Sequence, residues 1–298
     1  MSLKDKKYKY NQTIMSVLGY GENKKIRIVT MGCLRTAGVE DENDKNRPVR
    51  GSVNDEKLAQ SIARTKRTIY ELVFCNPWDF FFTATLDPKK YDRTDLDKFH
   101  HDLTLWFRHW GERHGNIKIR FLLVPELHKD GKSWHLHGFI YGLPLEHLEQ
   151  FKIGQKMGKA LAEKVKKGDV VYNWPAYQEK FGFCDLEPIR NHEAVAKYMT
   201  KYINKELADS VTEIGAHKYY CSRGLNRAEV VKKGTMSANI VPDYVSEYGS
   251  VTTLDFSQEL YDKLLGSFLD DNILHSRYRH VKIDGLEVLP ITTPVPFD

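Results

Sequence analysis

Apolar and polar positions between residues 56 and 210 follow patterns that predict both helices and strands. Residues 56–74 and 95–110 carry apolar side chains at three- and four-residue steps, which is typical of helices that bury one face. Thr94 is the expected N-cap of the second helix. Residues 118–127 and 133–141 have strand character and are joined by a segment containing Asp130-Gly131, a dipeptide that favours a tight hairpin turn. Further elements are expected, in chain order, as a helix at about 145–166, a strand at 182–188 and a helix at 193–206 with Asn191 as N-cap.

The order strand, helix, hairpin, helix, strand, helix predicts an α+β fold, with an antiparallel sheet and helices packed on one of its faces. Residues 1–55 are polar and predicted to be irregular, apart from one strand at 26–31. Towards the other end we expect a helix at 258–269 and a strand pair at 278–289 that turns at Asp284-Gly285. The predicted domains are therefore an N-terminal extension with a loop and a basic helix (1–75), a central domain (76–210) and a C-terminal region of unknown role (211–298).

Composition narrows the class of protein only slightly. The chain of 298 residues has 45 Lys and Arg against 40 Asp and Glu, a net charge of +5 that permits binding to a polyanion without requiring it. Its 4 cysteines form no Cys-x-x-Cys pair, so we expect free thiols in a reducing compartment. We find no apolar run of membrane-spanning length and no secretory signal, and we expect a soluble cytoplasmic protein with no membrane partner.

The predicted hairpin brings three metal-binding side chain types together. His135 and His137 lie two residues apart on one strand and therefore point to the same face. Pairing around the Asp130-Gly131 turn places Glu126 directly across from His135, with His137 diagonal to it. This arrangement predicts a divalent metal site, although an isolated His-x-His is more often structural. His128 falls on the same face as either an exposed residue near the turn or a fourth ligand.

The predicted helix at 193–206 carries a second chemical signal. Tyr198 and Tyr202 are four residues apart and lie on one face, and Lys201 and Lys205 each follow a tyrosine by three residues. The same spacing is compatible with a face packed on the core. A phenol is also a nucleophile that can form a covalent intermediate, so the helix and the metal site together could attack a phosphodiester.

Three segments, taken in order, resemble the motifs of HUH endonucleases, specifically the two-tyrosine rolling-circle replication initiators (Rep proteins) of small phages and plasmids. The first is the apolar strand and its Thr and Asp at 80–87, the second is His135-Leu136-His137 with Glu126 upstream, and the third is the Tyr-x-x-Lys-Tyr-x-x-Lys pattern at 198–205. The resemblance covers about residues 76–210. It implies a central antiparallel sheet of about five strands, similar to RRM and ferredoxin-like folds, with helices packed on it.

The resemblance also implies an activity, that of a metal-dependent, site-specific DNA endonuclease and strand transferase. Glu126, His135 and His137 would hold Mg²⁺ or Mn²⁺, although ligand chemistry by itself would also allow zinc. Tyr198 or Tyr202 would attack the phosphorus, leaving a 5′-phosphotyrosine link and a free 3′-hydroxyl, and strands would later be rejoined. The candidate catalytic residues are Tyr198, Tyr202, Lys201 and Lys205.

Single-stranded origin DNA is the partner that the resemblance implies. No phosphate-binding loop of the ATPase type occurs, so unwinding is expected from a separate host helicase, in the host cell cytoplasm if the protein is viral. Basic and aromatic clusters provide candidate DNA contacts, each of which could instead be a solvated helix face or a packed strand. The candidates are Arg64, Lys66, Arg67, Thr85, Tyr219, Tyr220 and Arg223.

Three other functions are compatible with these residues. A one-tyrosine HUH transposase or relaxase would use only one of the two phenols. A non-catalytic nucleic-acid-binding protein could use the histidines for base stacking or for its core. A metal-dependent hydrolase would attack through water and leave no protein on the DNA.

Overall fold

The computed structural model describes residues 8–35, 55–191, 219–246, 249–269, 281–283 and 286–288. The chain divides into two compact units, residues 50–226 and residues 1–49 together with 227–298. No helix in the described part of the chain combines the length and the apolar run that crossing a membrane would need. The elements, in chain order, are β1 (Tyr8–Tyr20), β2 (Asn23–Arg35), α1 (Asp55–Phe74), β3 (Phe80–Thr85), α2 (Leu96–Arg113), β4 (Arg120–Leu127), β5 (Trp134–Tyr141), β6 (Glu149–Gln150), α3 (Lys159–Lys166), β7 (Tyr172–Asn173), α4 (Pro175–Lys180), β8 (Cys184–Pro188), β9 (Tyr220–Cys221), β10 (Glu229–Gly234), β11 (Tyr244–Ser246), β12 (Gly249–Asp255), α5 (Gln258–Gly266), β13 (Val281–Ile283) and β14 (Leu286–Val288).

The unit of residues 50–226 contains a sheet in the order β6-β7-β8-β3-β5-β4-β9, whose paired strands are all antiparallel. Phe82 and Ala84 of β3 and Leu136 of β5 face one side of this sheet, where they join a core that α2 and α4 complete. The fold is therefore α+β, as the sequence predicts. The sheet has seven strands because the two-residue strands β6, β7 and β9 extend the expected set.

Helix α2 confirms the amphipathic pattern read from the sequence. Its apolar positions Phe99, Leu103 and Phe107 are buried. The predicted N-cap, Thr94, is wrong: Asp95 caps the helix, and its Oδ1 accepts a hydrogen bond from the Lys98 amide at 2.9 Å. A cap acts on the amide groups two or three residues ahead, so a one-residue shift in the start of the helix changes which side chain can reach them.

The helix predicted over residues 145–166 is mostly absent. A single 3-10 turn at Leu145–His147 leads into β6, and α3 covers only Lys159–Lys166. Gly154 has a φ of +92°, a conformation that interrupts a right-handed helix. Apolar residues of the connecting loop still pack against α3, since Phe151 and Met157 contact the cluster of Leu161 and Val165.

The prediction that residues 1–55 are irregular is wrong for residues 8–35. These form the long hairpin β1–β2, which occupies the middle of a second antiparallel sheet in the order β10-β1-β2-β12-β11. Met15, Ile26 and Ile28 share a core with Leu264 of α5. Strands from both ends of the chain thus form one sheet, so the compact units have other boundaries than the three consecutive segments expected from the sequence.

Two elements expected near the C-terminal end are confirmed. Helix α5 occupies Gln258–Gly266, within the predicted 258–269. Strands β13 and β14 pair with Ile283 opposite Leu286, in agreement with a turn at residues 284–285.

Candidate active site

The hairpin β4–β5 has the predicted register, with Glu126 paired with His135. Its loop is longer than expected: the His128 amide donates to the Ser133 carbonyl (2.7 Å), and the Gly131 amide donates to the His128 carbonyl (2.8 Å). Gly131 has a φ of +68°, which glycine adopts without steric cost. A four-residue loop centred on the same dipeptide as a two-residue loop leaves the strand pairing unchanged, and for this reason the register prediction holds.

Asp130 fixes the conformation of this loop. Its carboxylate accepts hydrogen bonds from the Ser133 hydroxyl (2.6 Å), the Ser133 amide (2.8 Å) and the Lys132 amide (2.9 Å). These bonds stabilise the charged form and hold the pKa of Asp130 well below its ordinary value. The His128 ring lies 5.0 Å from the His135 ring, measured between centroids. It is exposed, so the choice between surface residue and fourth ligand stays open.

Glu126 and His137 contact each other directly. Oε2 of Glu126 lies 2.5 Å from Nε2 of His137, and both side chains are half-buried. An oxygen and a nitrogen approach this closely only with a proton between them. A cation that took both groups as ligands would have to displace that proton.

His135 is oriented by a neighbouring strand. Its Nδ1 lies 3.0 Å from Oγ1 of Thr85, which is its pairing partner on β3. Burial lowers the pKa of His135 to about 4, and the nearby His137 and His128 add to the effect. The imidazole is therefore neutral at pH 7, the form that binds metals. A neutral ring that donates from Nδ1 has its free lone pair on Nε2.

The donor set fits a divalent ion in chemistry, although the three groups do not yet converge. Among the described residues, no three acidic, histidine or cysteine side chains surround a common point. The rings of His135 and His137 are 6.0 Å apart between centroids, and Glu126 is turned towards His137. Two imidazoles and one carboxylate on one sheet face suit Mn²⁺ or Zn²⁺, with Mg²⁺ favoured less by the nitrogens. Binding would require a small rotation of these side chains and the loss of one proton.

The same sheet face continues from His137 across two further strands. Thr83 of β3 pairs with His137 on one side and with Asp185 of β8 on the other. Burial raises the pKa of Asp185 to about 6, and the nearby Glu187 adds to this rise, while a hydrogen bond from Thr83 opposes it. Beside this row lies a cavity of about 210 Å³. The sequence does not predict Asp185 as a site residue, because only the pairing of β8 with β3 brings it here.

Arg93 is a second residue near this face that sequence patterns do not reveal. Its carbonyl accepts a hydrogen bond from the Trp134 amide at 2.9 Å, which ties its loop to the hairpin. Its charge is close enough to contribute to the low pKa of His135. Within the described residues its buried Nε has no hydrogen-bond partner. A guanidinium in this position can bind a phosphate oxygen.

The predicted DNA contacts on α1 are partly accessible. Arg64 and Arg67 are exposed, and Lys66 is half-buried. Thr85, also predicted as a DNA contact, lies instead on the metal-binding face, bonded to His135. The catalytic candidates Tyr198, Tyr202, Lys201 and Lys205, with the helix predicted around them, lie outside the described residues.

The predicted contacts near residue 220 divide into one excluded residue and two accessible ones. Tyr220 is only 6% exposed and stacks on His100, with ring centroids 3.7 Å apart. Tyr220 is therefore part of the core in this structure, and its predicted role in base stacking is wrong. Tyr219 is half-buried and Arg223 is exposed, and the Arg223 carbonyl accepts a hydrogen bond from Arg120 at 2.5 Å.

Comparison with known proteins identifies one related family. Residues 79–207 match the family model of the replication-associated protein ORF2. No curated protein matches the chain, and no solved structure does. The matched segment covers less than half of the chain, but it contains the hairpin, the row from His137 to Asp185 and the tyrosine segment. Residues 79–207 are thus similar to the replication-associated proteins, which is consistent with a replication initiator.

Proposed function

We propose that this chain is a two-tyrosine HUH replication initiator that nicks single-stranded origin DNA. One observation carries the proposal: Glu126, His135 and His137 share one face of the β4–β5 hairpin, within the segment that is similar to replication-associated proteins. The residues that would hold the metal are these three. When bound, Mg²⁺ or Mn²⁺ would polarise the scissile phosphate and stabilise charge on its oxygens.

The residues around the three ligands would prepare them for this task. Thr85 holds the His135 ring through Nδ1 and leaves Nε2 available as a ligand. Burial keeps that ring neutral, so no proton competes at His135. Arg93 supplies a positive charge beside His135 and is positioned to bind the DNA backbone near the phosphate that is cut.

The nucleophile would be the phenol of Tyr198 or Tyr202. Its oxygen forms a bond to phosphorus while the bond from phosphorus to the 3′ oxygen breaks, and that oxygen takes up a proton to become a free 3′-hydroxyl. An unperturbed phenol has a pKa of about 10, so nearby positive charge is needed to favour the phenolate at neutral pH. Lys201 and Lys205, each three residues after a tyrosine, would supply that charge and stabilise the phosphorane.

A second tyrosine gives the reaction a way to finish. While one phenol carries the 5′ end of the DNA, the other can cut the regenerated origin, and the 3′-hydroxyl released there can attack the first phosphotyrosine to rejoin a strand. The bonds broken and formed are equal in number, so no external energy source is required. We further propose that a separate host helicase unwinds the duplex and that the protein acts in the cytoplasm of the host cell.

Covalent capture of DNA tests the proposal. The full chain is incubated with end-labelled single-stranded oligonucleotides and Mn²⁺, and protein with attached label is resolved on denaturing gels. We expect an adduct with the wild type and with each of Tyr198→Phe and Tyr202→Phe, and none with the double variant. Tyr244→Phe is the matched control, since Tyr244 is 65% exposed and lies in the other compact unit.

Each other outcome points to a different function. Loss of all adduct in one single variant would replace the two-tyrosine enzyme by a one-tyrosine transposase or relaxase. Cleavage without attachment would indicate a hydrolase that attacks through water. Binding without cleavage would indicate a nucleic-acid-binding protein. Adduct in the double variant would show that neither phenol is the nucleophile.

A further inference from the structure

A cavity of about 210 Å³ adjoins the proposed metal face on the side of β8. Its floor is the sheet and one wall is α3, so it is open to solvent from the same side as His137. Neighbouring strands are about 4.8 Å apart, so β8 lies roughly 10 Å from β5. The lining residues are Phe81, Thr83, His137, Ala160, Leu161, Lys164, Asp185 and Glu187.

The polar groups of this cavity are mainly hydrogen-bond acceptors. Lys164 forms an ion pair with Glu187 at 2.7 Å, which holds that carboxylate at the rim. Asp185 lies deeper and accepts a hydrogen bond from Thr83. A carboxylate offers about four acceptor positions, so this single bond leaves Asp185 able to accept others. A ligand that fits here must therefore present N–H or O–H donors.

An aromatic surface lies beside these acceptors. The Phe81 ring is half-buried and nearly parallel to the His137 ring, with 6.4 Å between centroids. Aromatic side chains next to a nuclease site commonly stack with unpaired bases, and hydrogen bonds to the base edge then give selectivity. Drug-sized ligands occupy about 300–1,000 Å³, so a smaller cavity suits one base and not two.

We propose that this cavity binds one unpaired base next to the phosphate that is cut, and that Asp185 selects a guanine there. Guanine presents two adjacent donors, N1–H and N2–H₂, which can bond to the two oxygens of one carboxylate. Thymine presents a single donor between two carbonyl oxygens, and these oxygens would face carboxylates. The inference rests on the proposed function for its position beside a scissile phosphate, while the base selection itself is a property of binding.

Selection from a random single-stranded DNA library tests this directly. The full-length wild type and Asp185→Asn are each used to retain oligonucleotides by binding, and the retained pools are sequenced. Asparagine keeps the shape of the side chain but replaces one acceptor by a donor. Glu179→Gln is the matched control, because Glu179 is exposed on α4, which packs on the opposite face of the sheet.

We expect one position in the wild-type pool to be enriched in guanine. Changing that guanine to thymine should weaken binding by about 5- to 150-fold. Hypoxanthine, which lacks only the 2-amino group, should lose part of this affinity. Asp185→Asn should lose the guanine preference while binding the rest of the sequence as before, and Glu179→Gln should behave like the wild type.

The inference and the proposed function can fail separately. Equal base preference in Asp185→Asn and the wild type, or no preferred guanine at any position, would overturn the inference even if covalent adducts form. A guanine preference that depends on Asp185, without any adduct, would support the cavity and refute the nicking activity. If Asp185→Asn does not fold, as judged by thermal melting, Glu187→Gln takes its place and must reduce the same preference.

Discussion

The hydrogen bond between Thr85 and His135 gives the sharpest test of the metal site, because it can be removed without changing any proposed ligand. Thr85→Val keeps the branched shape of the side chain and removes the Oγ1 that lies 3.0 Å from Nδ1 of His135. The half-buried ring would then lose the contact that fixes its orientation and its protonated nitrogen. The three ligand side chains and the hairpin register would be unchanged.

The expected magnitude follows from this one contact. Loss of a bond that orients a ligating histidine typically lowers metal affinity by about 10- to 100-fold, which equals about 1.4–2.7 kcal/mol. The ring nitrogen left without its partner should also lower the free energy of unfolding by about 1–3 kcal/mol if water cannot reach it. Metal affinity and stability should therefore both fall in Thr85→Val.

Mn²⁺ titration followed by electron paramagnetic resonance of the free ion measures the affinity without DNA. Thr104→Val is the matched control, since its hydroxyl is buried on α2 and has no hydrogen-bond partner among the described residues. That change should leave Mn²⁺ affinity unaltered and stability equal or higher. Equal Mn²⁺ affinity in Thr85→Val and the wild type would refute the orienting role of Thr85, and no Mn²⁺ binding by the wild type would refute the metal site itself.

Two further predictions concern stability, measured by chemical denaturation. A Cβ added to Gly138 would lie 1.9 Å from the Leu122 carbonyl oxygen, so Gly138→Ala should cost about 3 kcal/mol or more, whereas Gly131→Ala, with open space but a φ of +68°, should cost about 1 kcal/mol; equal costs would contradict this. Burial raises the pKa of Asp185 to about 6, so its effect on stability declines as the pH rises from about 4 to 6, while His135, whose pKa burial lowers to about 4, has the opposite effect up to about pH 6.5. Asp185→Asn should therefore gain about 1–3 kcal/mol relative to the wild type between pH 4 and pH 7, and a pH-independent difference would show that Asp185 is not perturbed.

The sequence determined the features that depend on local periodicity. Alternation along β5 places His135 and His137 on one face, and a turn centred on Asp130-Gly131 places Glu126 across from them. The register survived the error in loop length because both loops share one centre. Helix α2 was predictable for the same reason, since its apolar residues repeat with the period of the helix.

Only the tertiary structure decided which distant segments lie beside this hairpin. Thr85 reaches His135 because β3 pairs with β5, and Asp185 reaches the same face because β8 pairs with the other edge of β3. Likewise Tyr220 stacks on His100, which excludes it from the predicted DNA contacts. The patterns of polar and apolar residues specify which face a side chain occupies, but not which strand becomes its neighbour. That choice depends on how side chains from the whole chain pack together, because the free energy of strand pairing comes largely from contacts between residues far apart in sequence.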